Sequence, residues 1–220
     1  MNSERKLFIY LTNGVSKGSS EVKLDTRTTE ARFIFQKYLA EFNSEPIWWG
    51  SENLIPEGDL HKFVTKENLA SIEKVIRGHR NQITQIVTTA FEGAHQDHDS
   101  AAVISRKMAK IFQVKTIEIS TYPQKFSRLY SFKVLKPQSP EEKFEFARFK
   151  TLSLALKLMA HYKTQRSTWL GLGLSTLIAY TFRKYRSSKP APIASVHPCF
   201  YEFRGRAKQS DVLKHLIPLE

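Results

Sequence analysis

The sequence predicts an α/β fold in which helices cover both faces of a parallel sheet. Short apolar or β-branched segments alternate along the chain with segments whose apolar residues recur at helical spacing, which is typical of a doubly wound sheet. The chain has 220 residues, 41% of them hydrophobic. That is enough to bury one core. Its single cysteine, Cys199, excludes an internal disulfide framework and a multi-cysteine zinc site.

The first 80 residues supply two strand and helix pairs. Residues 6–11 form a nearly continuous apolar run, which is typical of a strand buried inside a parallel sheet. A helix is predicted around residues 31–42, with Asp25 and Thr26 as candidate caps. Residues 45–50 predict a second strand and its turn. Residues 66–77 predict a helix that ends at Gly78.

The middle of the chain continues the alternation. Residues 82–90 are rich in β-branched residues and predict a strand, and residues 101–112 carry apolar side chains at helical spacing. Two further strands are expected, one over residues 116–122 and one over residues 130–134.

The style of the sequence changes after Pro137. Ser139 to Glu142 combines a cap, a first-turn proline and a capping-box glutamate, which predicts a helix that runs to about His161. Residues 169–180 are apolar but shorter than the roughly 20 residues of a membrane-spanning helix. They predict a buried or interfacial helix. We therefore divide the chain into an α/β part, residues 1–136, and a mainly helical, basic part of the same domain, residues 137–220.

The net charge of +13 is concentrated in the second half. Residues 1–110 contain 15 basic and 14 acidic residues, whereas residues 111–220 contain 19 and 7. This asymmetry indicates either an anionic partner or a solvated basic face, and no specific nucleic-acid motif is present. The N-terminus lacks a signal-peptide pattern, so the expected location is the cytoplasm, with peripheral contact with a membrane left open.

The segment Phe91–Asp99 (FEGAHQDHD) places two histidines and two carboxylates between a predicted strand and a predicted helix. Loops at the carboxyl ends of parallel strands are where open α/β sheets bind ligands. Histidine and aspartate are suitable ligands for a hydrolytic zinc ion. The alternative is that Asp97 or Asp99 caps the helix and the histidines are ordinary loop residues.

Residues 92–99 resemble the second motif of the PIG-L (LmbE-like) zinc de-N-acetylase family. Residues 11–14 (LTNG) resemble the end of that family's second strand, residues 27–30 (RTTE) its Arg-x-x-Glu helix start, and residues 201–203 (YEF), more weakly, its Glu-x-Phe element. The resemblance covers residues 6 to about 122 well and the remainder loosely.

This resemblance implies a Rossmann-like sheet and the zinc-dependent removal of acetyl from an N-acetylated amino sugar of the N-acetylglucosamine type. By position, it makes His98 a zinc ligand and His95 the acid or electrostatic group that assists the reaction. It also makes Asp97 the residue that orients the site, and Arg27 a substrate-binding residue.

One departure from the family pattern is large. The family's first strand, with its His-Pro-Asp-Asp-Glu motif, has no counterpart here, so two metal ligands and the general base are missing. Among the other histidines, only His197 invites a test as a substitute ligand. The sheet is expected either to keep a gap beside the strand at residues 7–11 or to close it by pairing that strand with the one at residues 83–91. We therefore expect a truncated domain that is inactive as it stands. The alternative function is a catalytically dead, basic module that binds an anionic glycan, a lipid surface or nucleic acid.

Overall fold

The structure, a computed structural model, confirms the α/β class. It describes residues 5–79, 83–93, 95–120, 142–146, 149–166, 182–186, 202 and 205–219. The strands are β1 (Lys6–Ile9), β2 (Ser44–Ile47), β3 (Gln85–Thr89), β4 (Lys115–Ser120), β5 (Glu142–Phe146) and β6 (Phe182–Arg186). The α-helices are α1 (Glu21–Ile34), α2 (Trp49–Glu52), α3 (Lys66–His79), α4 (Gln96–Phe112), α5 (Phe149–His161) and α6 (Gln209–Leu216). Short 3-10 or π turns occupy Phe35–Leu39, Ala40–Phe42, Leu60–Phe63, Lys163–Gln165 and Ile217–Leu219.

The described strands form two sheets. In one, β1 pairs in parallel with β2, from Lys6 opposite Ser44 to Ile9 opposite Ile47. In the other the order is β3-β4-β6-β5, in which β3 and β4 are parallel and β6 is antiparallel to both of its neighbours. As expected, β1 pairs in parallel with β2 and β3 with β4. Strands β5 and β6 lie in segments for which no strand was predicted, and they add antiparallel pairs to the sheet. Antiparallel strands at the edge of an otherwise parallel sheet are common in α/β folds.

Direct pairing of β1 with β3 does not occur among the described residues, and the two sheets stay separate. The Tyr10 amide donates to the Ile47 carbonyl, and the Ala90 amide donates to the Ile119 carbonyl. Alternate residues of a strand present their N–H and C=O groups to opposite edges of that strand. Every second residue of β1 therefore points these groups away from β2, and every second residue of β3 points them away from β4. Val87 of β3 is 53% exposed, which is unusual for an apolar residue in the middle of such a fold.

Both sheets nevertheless pack against one hydrophobic core. The cluster joins residues of β2, α2, α3, α4 and α6 and of the segments between these elements: Ile47, Trp49, Ile55, Leu60, Val64, Leu69, Ile72, Ile76, Phe91, Ala102, Val103, Ile104, Met108, Val212 and Leu216. Side chains of both β1 and β3, such as Leu7 and Ile86, pack on its margin. At Gly50 a Cβ would lie 2.3 Å from the backbone of Leu11 and Thr12. Only glycine therefore allows the end of β1 to approach this closely.

Two helix ends differ from the prediction. Helix α1 begins at Glu21, and its cap is Ser20, whose hydroxyl accepts a hydrogen bond from the Lys23 amide at 3.3 Å. Asp25 and Thr26 lie inside the helix. The apolar pattern located the start too late because the first turns of α1 face solvent, as Val22 shows with 76% exposure. Helix α3 runs through the predicted cap Gly78 and ends at His79.

The long helix predicted from residue 139 to His161 is only partly present. Residues 142–146 form strand β5, which pairs with β6, and helix α5 begins at Phe149. The alternation of charged and aromatic residues in this segment suits a strand, and the distant β6 provides its hydrogen-bonding partner. The predicted strand at 130–134, the helix at 169–180 and the loop at 187–198 lie outside the described residues. The division at residue 137 stays a prediction.

Candidate functional site

The segment from Ala90 to His95 connects β3 to α4 at the carboxyl end of β3. Ala90 and Phe91 are fully buried, and they anchor the segment in the core. His95 is the N-cap of α4, because its backbone is extended and its Nδ1 accepts a hydrogen bond from the Asp97 amide at 3.2 Å. The alternative in which Asp97 or Asp99 caps this helix is therefore wrong. The loop lies at the end of a parallel strand, as the sequence predicts.

Asp97 fastens this loop to a distant segment. Its carboxylate accepts hydrogen bonds from the amides of Gly58, at 2.6 Å, and Leu60, at 3.1 Å. Gln96 supports the same contact, since its side-chain amide donates to the Gly58 carbonyl at 3.1 Å. Burial raises the pKa of Asp97 to about 6, although the two backbone hydrogen bonds act in the opposite direction. Asp97 therefore holds the start of α4 in place through backbone contacts.

Asp99 closes the loop from inside. Its Oδ1 accepts hydrogen bonds from the amides of Glu92, at 2.9 Å, and Gly93, at 3.1 Å, and the side chain is fully buried. Burial raises the pKa of Asp99 to about 8. The carboxyl group is therefore mostly protonated at neutral pH. From the sequence, Asp99 was considered only as a helix cap. Its partners, the amides of Glu92 and Gly93, lie before it in the loop, whereas a cap binds amides that follow it in the helix.

The two histidines of the loop lie side by side. The ring centroids of His95 and His98 are 5.1 Å apart, and both side chains are half-buried. The Thr89 hydroxyl donates to the His98 carbonyl at 3.1 Å, which ties the first turn of α4 to the end of β3. Burial lowers the pKa of His98 to about 4. Its imidazole is therefore neutral at pH 7, the form that binds metal ions or accepts a proton.

Arg27 lies on α1 and contacts the turn after α5. Its Nη1 donates to the Thr164 hydroxyl at 2.8 Å, and its guanidinium lies 4.9 Å from the ring centroid of Tyr162. Glu30, one turn further along α1, accepts hydrogen bonds from the amide and the hydroxyl of Thr164. Gly14 has a φ of +75°, and a Cβ there would lie 3.1 Å from the Arg27 side chain. Glycine at this position makes room for Arg27.

Arg27 lines a cavity of about 220 Å³, which we call the Arg27 cavity. Its lining comprises Gly14, Val15, Ser16, Lys23, Arg27, Glu57, Thr164 and Gln165. Glu57 connects the cavity to residues 91–99, which we call the histidine loop. Its amide donates to the Val15 carbonyl, and the amide of the next residue, Gly58, donates to Asp97. The structure thus brings Arg27 and the loop that carries His95, Asp97 and His98 to either side of residues 57–60.

The described residues do not by themselves form a zinc site. Within the described ranges, no group of three or more histidine, cysteine, aspartate or glutamate side chains is arranged to hold a metal ion. A hydrolytic zinc site requires three protein ligands and one open position. The resemblance assigns one ligand, His98, to this part of the chain. His197 lies outside the described residues.

His61 is a buried residue that the sequence did not single out. It is 3% exposed, its buried Nδ1 has no hydrogen-bond partner among the residues that the structure describes, and its ring centroid lies 5.9 Å from that of His215 on α6. Burial, and then the charge of Lys62, lower its pKa from 6.5 to about 4. No local sequence pattern marks His61, because its burial follows from the distant contact between its neighbour Leu60 and Asp97.

This lowered pKa predicts a pH-dependent stability. Between pH 6.5 and 4 the unfolded chain binds a proton at His61 that the folded chain does not, so the contribution of His61 to folding is lost as the pH falls. The full loss is roughly 3 kcal/mol. We expect the free energy of unfolding of the wild type to decline by about this amount between pH 7 and 4 relative to His61→Gln, as measured by urea unfolding. If the difference in the free energy of unfolding between the wild type and His61→Gln did not change with pH, this would contradict the buried, neutral state of His61.

Comparison with known proteins places the fold. No protein-family model matches the chain, and no curated protein matches it. Among solved structures, it is similar to the A40926 pseudoaglycone deacetylase Dbv21, with a TM-score of 0.58, 13% identity and coverage of 86% of this chain and 87% of that one. It is also similar to a triple mutant (Orf2*T) of a deacetylase of the teicoplanin biosynthetic pathway, with a TM-score of 0.57, 11% identity and coverage of 84% and 86%.

A deacetylase complex from the biosynthesis pathway of teicoplanin is similar to the same degree, with a TM-score of 0.55, 12% identity and coverage of 84% and 87%. At these identities the likeness concerns the fold, and function has to be argued from the site. None of the helices in the described part of the chain has the length and hydropathy that crossing a membrane requires. The chain therefore has the fold of these deacetylases, and its histidine loop and Arg27 cavity are the candidate site on that fold.

Proposed function

We propose that this protein is a PIG-L-like deacetylase of N-acetylated amino sugars that carries the substrate side of the site and part of the metal site. The observation that supports it most is the loop at the end of β3, where Asp97 holds His95 and His98 next to each other. The missing metal ligands and the general base would come from a further segment. The 220 residues alone are then inactive.

Each residue has a distinct role in this proposal. Deacetylation breaks an amide bond, and the intermediate carries negative charge on the former carbonyl oxygen while the leaving amine needs a proton. His95 is suited to that acid or electrostatic role. Neutral His98 is suited to metal binding, and Asp97 positions both through the N-terminus of α4. Arg27 binds the part of the substrate that is remote from the amide.

The separation of the two sheets supports an incomplete site. A strand inserted between β1 and β3, parallel to both, would pair with the backbone groups that those strands turn away from β2 and β4. Its carboxyl end would lie between the end of β1 and the histidine loop, since parallel strands end at the same edge of a sheet. Ligands that follow such a strand would therefore be placed beside His98.

The alternative function is the catalytically dead, basic module. It is favoured by the polar lining of the Arg27 cavity, which includes the basic side chains of Lys23 and Arg27. In that case the cavity or the basic second half holds an anionic glycan, lipid surface or nucleic acid, and a cytoplasmic location with peripheral membrane contact agrees with either function.

Three N-terminal extensions separate these possibilities. The motif extension consists of an apolar strand of about five residues, a His-Pro-Asp-Asp-Glu motif and a crossover of roughly a dozen or more residues joined to residue 1. The alanine extension replaces the charged and histidine residues of that motif with alanine. The glycine extension keeps the motif but replaces the strand with glycine and serine.

We expect the 220-residue chain to lack both stoichiometric zinc and activity. The chain with the motif extension should bind about one zinc ion and release amine from an N-acetylglucosaminyl substrate, and His98→Ala in that chain should abolish both, because one ligand is lost. Metal analysis and amine detection measure the two properties, with the alanine extension as the control. Zinc and turnover in the 220-residue chain would contradict the incomplete site. Substrate binding without turnover in the chain with the motif extension would favour the binding module.

A further inference from the structure

Helix α6 packs against the turn Leu60–Phe63 and against α4. Its apolar residues Val212 and Leu216 are fully buried, and both belong to the hydrophobic core. An isolated helix of 8 residues is too short to be stable in water, so these contacts keep α6 folded. An element of this size can open locally at a lower free energy than that of global unfolding.

His61 lies within the contact between the turn and α6. Its side chain is buried, its ring faces that of His215 on α6, and its Nδ1 has no hydrogen-bond partner among the described residues. Both ring nitrogens donate in the imidazolium form, so a proton on His61 would leave Nδ1 as a buried, charged donor without an acceptor. Such a state is strongly unfavourable.

The charged groups around His61 come from each side of the contact. Those that face it in the described part of the chain are Lys62 and Asp59 near the turn, and Asp211 and His215 on α6. Lys62 and His215 oppose a positive charge on His61, whereas Asp59 and Asp211 favour it. Helix α4 presents Asp97, whose carboxylate accepts a hydrogen bond from the Leu60 amide. Burial outweighs all of these charges and keeps His61 neutral.

We propose that α6 is an acid-released latch on the histidine loop. When His61 takes up a proton, α6 separates from the turn Leu60–Phe63 and water reaches the new charge. Leu60 directly precedes His61, and its amide binds Asp97 at 3.1 Å. Opening of the turn therefore loosens the hydrogen bonds by which Asp97 fastens the histidine loop.

The pH range of the release follows from the two states of His61. The residue titrates at the ordinary pKa of 6.5 when it is exposed and at about 4 when it is buried, so acid favours the open form. Between these values the open form binds one proton more than the closed form. The equilibrium constant for opening should therefore rise roughly 20-fold between pH 7 and 5. Only the consequence for deacetylation rests on the proposed function, whereas the release itself does not.

Amide hydrogen exchange at pH 7 and 5, corrected for intrinsic exchange rates, tests the latch on the 220-residue chain. Between these pH values, the wild type should lose about 20-fold more protection than His61→Gln, both in α6 and at the amides of Gly58 and Leu60. Strand β4 should stay at least about tenfold better protected than α6, because α6 opens locally.

Two further variants complete the test. His61→Phe keeps a buried ring that binds no proton, and it should behave as His61→Gln does, so it replaces that variant if the glutamine side chain prevents folding. The matched control is His161→Gln, which removes a histidine from α5. It should lose as much protection as the wild type between pH 7 and 5.

An equal loss of protection in the wild type and in His61→Gln would overturn the proposal. Equal protection of α6 and β4 at both pH values would overturn it too, because His61 would then act on global unfolding. Protection retained at Gly58 and Leu60 after α6 has opened would also overturn it, since the release would not reach the histidine loop. None of these measurements involves zinc or turnover, so a failure of the latch is distinguishable from a failure of the proposed function.

Discussion

The 220-residue chain should self-associate, whereas the chain with the alanine extension should be a monomer that unfolds cooperatively. The inner edges of β1 and β3 carry backbone groups without a strand partner among the described residues. Exposed parallel edges are templates for pairing with other chains. If buried unpaired, each such group costs roughly 1–3 kcal/mol, against a total stability of about 5–15 kcal/mol. A few such groups decide whether the domain is stable.

Light scattering after size-exclusion chromatography measures the association, and thermal unfolding measures the cooperativity. The glycine extension is the matched control, since it has the same length and motif but no strand to pair. It should not rescue the monomer. A soluble 220-residue monomer with a sharp unfolding transition would show that the sheets are stable without another strand, and the argument for an incomplete domain would fail.

Replacing Arg106 with leucine should destabilise the protein by about 3–5 kcal/mol, which is the effect of leaving a buried charge unpaired. Arg106 on α4 donates to Glu118 on β4 through Nε, at 2.6 Å, and Nη2, at 3.1 Å. The two side chains are 9% and 3% exposed. Arg106 also lies over the ring of Phe91, at 5.8 Å from its centroid. The Arg106–Glu118 pair therefore packs against the first residue of the histidine loop.

Urea unfolding of the chain with the alanine extension measures this effect. The matched control is the double variant Arg106→Met with Glu118→Leu, which removes both charges and should be close to the wild type in stability. A double variant as unstable as Arg106→Leu would show that the loss arises from packing and not from the uncompensated carboxylate.

The sequence predicted best where local pattern decides the structure. Helix α4 and strand β3 were predicted because apolar spacing within about 10 residues reports which face is buried. The position of the histidine loop followed from these two elements. The start of α1 was harder to predict from the sequence. The exposed residues of its first turns carry no apolar pattern, and only Ser20, a residue type that often caps helices, marks it.

Contacts between distant segments account for what the sequence did not predict. Strand β5 exists because β6 pairs with it, and this pairing outweighed a strong local helix-start signal. Asp97 binds the amides of Gly58 and Leu60, which lie 39 and 37 residues away.

The sequence by itself determined the α/β class and the loop with its two histidines. Only the tertiary structure decided that β1 and β3 do not pair with each other within the described ranges, that Arg27 lines a cavity with Thr164, 137 residues away, and that Asp99 is a buried acid. The physical reason is that pairing, cavities and pKa values depend on which distant groups share a buried space, and a local pattern carries no record of that.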